Sequence, residues 1–129
     1  MNALLLFLLF ALNPAQQDQI DLQGFTRSST EHIINELDAP MVVRSVRGRI
    51  TMGVERSELS EVLIELRDTN GRIRSTTTGE NGEFKLRVPD GSYEFKITRD
   101  GFQSIVGKIE VTRKAPKSAR VDLNMELGV

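Results

Sequence analysis

Residues 81–101 read NGEFKLRVPDGSYEFKITRDG. Phe84, Leu86 and Val88 alternate with Glu83, Lys85 and Arg87, and Tyr93, Phe95 and Ile97 alternate with Glu94, Lys96 and Thr98. A period of two sends successive side chains to opposite sides of an extended chain, so each run is a strand with one apolar and one polar face. Between them, Pro89 presets φ and Asp90-Gly91 accommodates a tight reversal. The stretch reads as strand, turn, strand, closed at each end by another turn.

The same grammar extends in both directions. Val62, Ile64 and Leu66 alternate with Leu63, Glu65 and Arg67, and Val121, Leu123, Met125 and Leu127 alternate with Arg120, Asp122, Asn124 and Glu126. Asn70-Gly71, Asn81-Gly82, Asp90-Gly91 and Asp100-Gly101 punctuate the pattern with dipeptides that readily take positive φ. Strands separated by turn signals every ~8–12 residues point to a sandwich or barrel. Seven strands are expected, near 42–52, 61–68, 72–78, 83–88, 92–99, 103–112 and 119–127. One-sided strands must bury their apolar faces on a second sheet, so the expected fold is all-β, a seven-stranded antiparallel Greek-key β-sandwich over residues 41–129.

The segment before the strands divides in two. From Ala3 to Leu12 the chain is an uncharged apolar run, followed by Asn13-Pro14-Ala15 and then polar Gln16, Gln17 and Asp18. A span needs ~20 apolar residues. This shorter run followed by a polar break is the pattern of a signal peptide over residues 1–15, and a stable membrane span is not expected. Residues 16–40 are expected to be a linker or a short docked helix, because Ser28 and Glu31 have capping-box spacing and Ile33, Ile34 and Leu37 follow as an apolar stripe.

Composition narrows the function classes. The 129 residues carry 17 Lys+Arg against 18 Asp+Glu, with one His and no Cys. The balance lacks the basic excess of a nucleic-acid module, and neither a disulfide framework nor a His/Cys metal site can be assembled. No cofactor is expected. With no Cys for lipid attachment and no Asn-X-Ser/Thr site, bacterial export to the periplasm or the medium is the expected address.

Gly48-Arg49-Ile50, Glu61–Leu66, Thr78-Gly79-Glu80-Asn81-Gly82-Glu83-Phe84, Val88-Pro89-Asp90-Gly91-Ser92-Tyr93-Glu94-Phe95 and Asp100-Gly101-Phe102 together resemble the carboxypeptidase regulatory-like domain. The resemblance covers about Val46 to Leu127. Gly79 stands where that family usually has Asp. It implies a transthyretin-like, or prealbumin-like, sandwich related to the starch-binding-domain-like folds. Members are usually noncatalytic appendages of peptidases, outer-membrane receptors and surface proteins, and some related sandwiches bind starch or other glycans.

Enzyme chemistries suggested by the fold lack their residues. One His and no Cys cannot supply a metallocarboxypeptidase zinc site, and His32 lies in the segment before the strands. Transthyretin-like hydroxyisourate hydrolases end in Tyr-Arg-Gly-Ser, whereas this chain ends Asn124-Met125-Glu126-Leu127-Gly128-Val129. An isopeptide of the surface-adhesin type needs a Lys on the first strand, and the first Lys here is Lys85. Glu58 and Glu61 read as a solvated loop.

The expected function is therefore a noncatalytic exported interaction or structural module. It would contact an envelope or extracellular protein through loop tips or an edge strand, with Asn70, Asn81, Asp100 and Phe102 as candidate loop-tip binding residues. The alternative is a carbohydrate-binding module. Tyr93 points inward by alternation, so Phe25 and Phe102 are the aromatic rings expected to be exposed for sugar stacking. Arg44, Arg47 and Arg49 on one strand and Lys114, Lys117 and Arg120 near another turn could form a basic strip for an anionic polymer, although acids scattered on the same surfaces favour an ordinary solvated face.

Overall fold

The computed structural model describes residues 19–29 and 32–128, so the expected signal peptide lies outside the described residues, as does Glu31 of the expected capping box. The described chain is all-β, with ten strands: β1 (Ile34–Glu36), β2 (Met41–Val43), β3 (Val46–Met52), β4 (Ser57–Glu58), β5 (Leu63–Arg67), β6 (Ile73–Thr77), β7 (Glu83–Leu86), β8 (Gly91–Thr98), β9 (Ser104–Val111) and β10 (Leu123–Met125). A larger sheet has the order β1-β9-β8-β5-β6, with β2 also on β9, and a smaller one has β10-β3-β4, with β7 also on β3.

The alternating runs form strands as their period predicts. Ile64, Leu66, Phe95, Ile97, Ile105 and Ile109 from the large sheet meet Val46, Ile50, Phe84, Val121 and Met125 from the small-sheet side in one buried core. The ring of Phe95 lies across β9 at Gly107, where a Cβ would sit 2.6 Å from it. Gly71, Gly82 and Gly101 take positive φ, but the preceding Asn70, Asn81 and Asp100 do not. The turns use the glycine alone. At the β5–β6 turn, Asp68 Oδ1 accepts from the amides of Asn70 (2.9 Å) and Arg72 (3.0 Å), which organises the loop without a second left-handed residue.

Two expectations fail for one reason. The strand expected at 42–52 is broken at Arg44-Ser45, and the sheets are mixed, because β1 and β2 pair parallel with β9 and β10 pairs parallel with β3. β2 and β9 are parallel neighbours in the large sheet, and both chains then cross to the small sheet, where their continuations β3 and β10 are parallel neighbours again. The crossing is tied at several heights. Thr112 N–H donates to the Val43 carbonyl at 2.9 Å, and Val121 N–H to the Arg47 carbonyl at 2.8 Å. The Arg44 guanidinium donates to the carbonyls of Arg113 (2.9 Å) and Ala115 (3.2 Å), and that of Arg47 to Lys117 (2.9 Å). The longer 112–122 connection consumes much of the strand expected at 119–127, leaving β10 as three residues and a Phe102–Leu127 bridge.

The 16–40 segment is neither linker nor docked helix where it is described. Residues 19–29 run without regular structure across the outer face of the large sheet, and β1 joins its edge. Pairing with β9 satisfies the β1 backbone, which a free helix of this length could not do stably.

Gly48 marks the tightest point of the crossing, since a Cβ there would lie 1.8 Å from the Val121 carbonyl oxygen. Backbone cannot yield as a side chain can. Gly48→Ala is expected to cost about 3 kcal/mol of stability by overpacking, read as a lower urea midpoint at unchanged slope.

Candidate functional site

The four loop-tip residues do not form one site. Asn70 follows the end of β5 at which Arg67 pairs with Glu94, whereas Asp100 follows the end of β8 at which Thr98 pairs with Leu63, so they lie at opposite ends of the large sheet. Asn81 is exposed, but its side chain closes its own turn, accepting from the Glu83 amide at 3.1 Å and donating to Glu83 Oε2 at 3.2 Å. Asp100 is also exposed and is engaged by Ser28 and Ser29. Phe102, expected to be exposed, is buried: its bridge to Leu127 turns the ring inward, and the Arg99 guanidinium lies over it at 5.5 Å. Phe25 is buried as well. Neither ring is free to stack on a sugar.

Phe25 is buried because residues 19–29 form a strap on the large sheet. Ile20 and Phe25 pack on Val106, with Leu22, Ile34 and Ile73 at the margin. Beneath the strap lie Glu65 and Lys96, cross-strand partners on the outer face and both buried. Thr26 answers both charges: its amide and hydroxyl donate to Glu65 Oε1 and Oε2 at 2.9 and 3.1 Å, and its carbonyl accepts from Lys96 Nζ at 2.9 Å. Arg67 holds the other part of the strap, donating to the carbonyls of Gln23 and Asp21, pairing with Glu94 at 2.8 Å and lying 4.3 Å over the Phe25 ring. Alternation alone assigned Glu65 and Lys96 to solvent. The signal available in the sequence was the apolar Ile73 and Val106 at polar-face positions, which need a cover.

The outer face of the small sheet is open and basic. Arg47 and Arg49 alternate outward from β3, and their β7 partners in register are Lys85 and Glu83. Asp122 accepts from the Arg49 amide at 2.9 Å, which places the 120–122 segment along the other side of β3. Glu83 sits between two guanidiniums, Arg49 at 3.1 Å and Arg120 at 3.9 Å, and Arg120 also reaches Asp122 at 3.3 Å. Of the two basic groups in the sequence, Arg47, Arg49 and Arg120 come together here, with Arg47 also donating to the Lys117 carbonyl, while Arg44 is spent wholly on the 112–118 loop. Two shallow grooves of about 360 and 350 Å³ share Glu83 and Arg120: the first is completed by Arg49, Thr51, Arg56, Asp122 and Leu123, the second by Arg47, Gly48, Phe84 and Lys85. Among the described residues no three His, Cys, Asp or Glu side chains converge as metal ligands would.

The carboxypeptidase regulatory-like domain family matches residues 45–126. No curated protein matches the chain. Among solved structures, the dioxygenase domain of a dioxygenase carbohydrate-binding protein fusion from Streptomyces sp. SirexAA-E is similar at 14% identity and a TM-score of 0.50, over 87% of this chain and 97% of that one. BcpA, the major pilin subunit of Bacillus cereus, is similar at 15% identity and a TM-score of 0.45, over 69% of this chain. The match spans 29% of the pilin's own length. These likenesses concern the sandwich fold.

The strap yields two expected outcomes. Glu65→Ala leaves Lys96 buried with one fewer acceptor group nearby and should cost about 3 kcal/mol in urea unfolding. Asp100 is held below the ordinary value of 3.8, first by the Ser28 hydroxyl and then by the Ser29 amide. A depressed carboxylate stabilises the fold above its unfolded pKa, and the contribution is lost as pH falls through the folded value. The Ser29 amide resonance should therefore titrate below pH 3.8 and stop doing so in Asp100→Asn; a midpoint at or above that value would refute the tie.

Proposed function

The chain belongs to the carboxypeptidase regulatory-like domain family, and from that membership we propose that it is a noncatalytic, exported interaction module that binds a protein partner in the envelope or outside the cell. The apolar run from Ala3 to Leu12 supports export. The open edge of the large sheet carries the partner-binding reading. Among the described residues β6 pairs with β5 alone. Asp68 N–H bonds to the Arg72 carbonyl and Thr78 N–H to that of Val62, and the register between those bonds turns the amides and carbonyls of Ile73, Ser75 and Thr77 away from β5.

An outward row of backbone donors and acceptors is a template for an added strand. The opposite edge differs: β9 is already covered there by β1 and β2. β6 is flanked by polar side chains, with Ser75 and Thr77 exposed, which favours a reversible partner over self-association. In this reading the scaffold supplies a rigid edge and the partner supplies an extended segment, so no catalytic group is needed.

Ser75→Pro removes one outward amide and leaves the paired residues Arg74 and Thr76 in place. The full chain is expected to retain a specific envelope protein from extract, and Ser75→Pro to lose it with a thermal midpoint within a few degrees of the original. Equal retention by the variant would count against the edge.

A further inference from the structure

We propose that the outer face of the small sheet is a second binding surface, and that its occupant is a linear polysaccharide bearing carboxylates. Its location is distinct from the β6 edge, so it stands or falls independently of the protein-partner reading. The chain as a whole has a formal charge of −1, yet this face gathers cations. Arg47, Arg49 and Lys85 project from β3 and β7 with Arg87 next in alternation, and Arg120 and Arg56 flank them, against Glu83 and Asp122 in the grooves and Glu58, which faces Thr51 across the β3–β4 pair. Elsewhere in the molecule the charges are of mixed sign, as in the groove beside the strap, where Arg67, Glu94, Lys108 and Glu110 alternate.

Geometry selects among polyanions. The two grooves lie end to end along β3 and share Glu83 and Arg120, which suits consecutive units of a chain better than one isolated ion. Glu83 orients Arg49 from one side, leaving its remaining N–H donors for a carboxylate on the other, while Arg120 stands between Glu83 and Asp122 as a further positive charge. The same Glu83, with Asp122 and the Thr51 hydroxyl, offers acceptors suited to sugar hydroxyls.

The ring at the groove, Phe84, is buried and cannot stack on a base, as a single-stranded nucleic acid would require. The large exposed apolar residues described, Ile33, Val42, Val54 and Leu127, line neither groove, so neither offers the apolar contact that holds an amphipathic surface in a bilayer. An uncharged glycan would bring no counter-charge to the excess of cations on this face. A carboxylated polysaccharide satisfies both the cations and the acceptors.

The test is affinity electrophoresis of the full chain in gels containing polygalacturonate, with the fully methyl-esterified polymer as the uncharged counterpart. Retardation is expected with the acid form at low salt, weakening as salt rises and absent with the ester. The double variant Arg49→Gln/Arg120→Gln should bind about tenfold more weakly. Because that variant also releases Glu83, Lys85→Gln provides a second reading at an exposed site and should weaken binding by about threefold. Arg72→Gln, on the β5–β6 turn, should leave it unchanged. Equal mobility in the two gels, an equal loss in Arg72→Gln, or tighter binding to duplex DNA or phosphatidylglycerol vesicles than to polygalacturonate would overturn the assignment.

Discussion

Two neighbouring strands leave the large sheet together and enter the small one together, and most of the architecture depends on that paired crossing. The ladder between 41–43 and 109–111 and the ladder between 50–52 and 123–125 belong to one pair of chains running side by side. Keeping them adjacent through the corner requires the Val121 backbone to pass where Gly48 has no side chain. It also requires Arg44 and Arg47 to hold the longer 112–118 loop by its carbonyls. The crossing brings the 120–122 segment against β3, which places Arg120 and Asp122 beside Arg49 and Glu83. The basic face is thus a by-product of how the two sheets are joined.

The strap solves a different problem. Glu65 and Lys96 are cross-strand partners on a face also bearing Val106 and Ile73, so that face is too apolar to remain wet and too charged to be sealed by hydrocarbon alone. Residues 19–29 meet both requirements. Ile20 and Phe25 cover the apolar positions, while the amide, hydroxyl and carbonyl of Thr26 meet the charges. The cover lies outside the 45–126 family match, so this chain supplies from its own N-terminal side a layer beyond that core. The strap covers the middle of the large sheet's outer face and leaves a groove beside it, while among the described residues the β6 edge and the small sheet's outer face carry no such cover.

How far the fold was legible follows from the range of each interaction. Period-two alternation is local, and the strands around Phe84, Phe95 and Ile64 stand where it placed them. Turn glycines are local too, and Gly71, Gly82 and Gly101 take the expected positive φ. Parallel pairing of β10 with β3 joins residues more than seventy positions apart, and no pattern in either strand encodes its partner's direction. Phe102 reads as a loop aromatic because its bridge to Leu127 is also non-local and no pattern around either residue encodes it. The candidate site was legible as a set of residue types but not as a place. Arg47, Arg49 and Arg120 were visible as cations, while their convergence around Glu83 depends on the β3–β7 register and the corner.

A net charge near zero argues against a polyanion partner only if charge is spread evenly. A ligand responds to the potential within about a Debye length, ~10 Å at 0.1 M salt, whereas a count over 129 residues averages the whole surface. Here the averaging is misleading: acids such as Asp21, Asp38, Glu55 and Glu110 balance the total without lining either basic groove. Segregation of this kind has a physical consequence beyond affinity. If the basic face meets an acidic matrix as proposed, the field would turn that face to lead, and the β6 edge, on another part of the sandwich, would stay clear of the contact. An immobilised scaffold with an open strand edge would need no further device to hold a protein partner at the matrix surface.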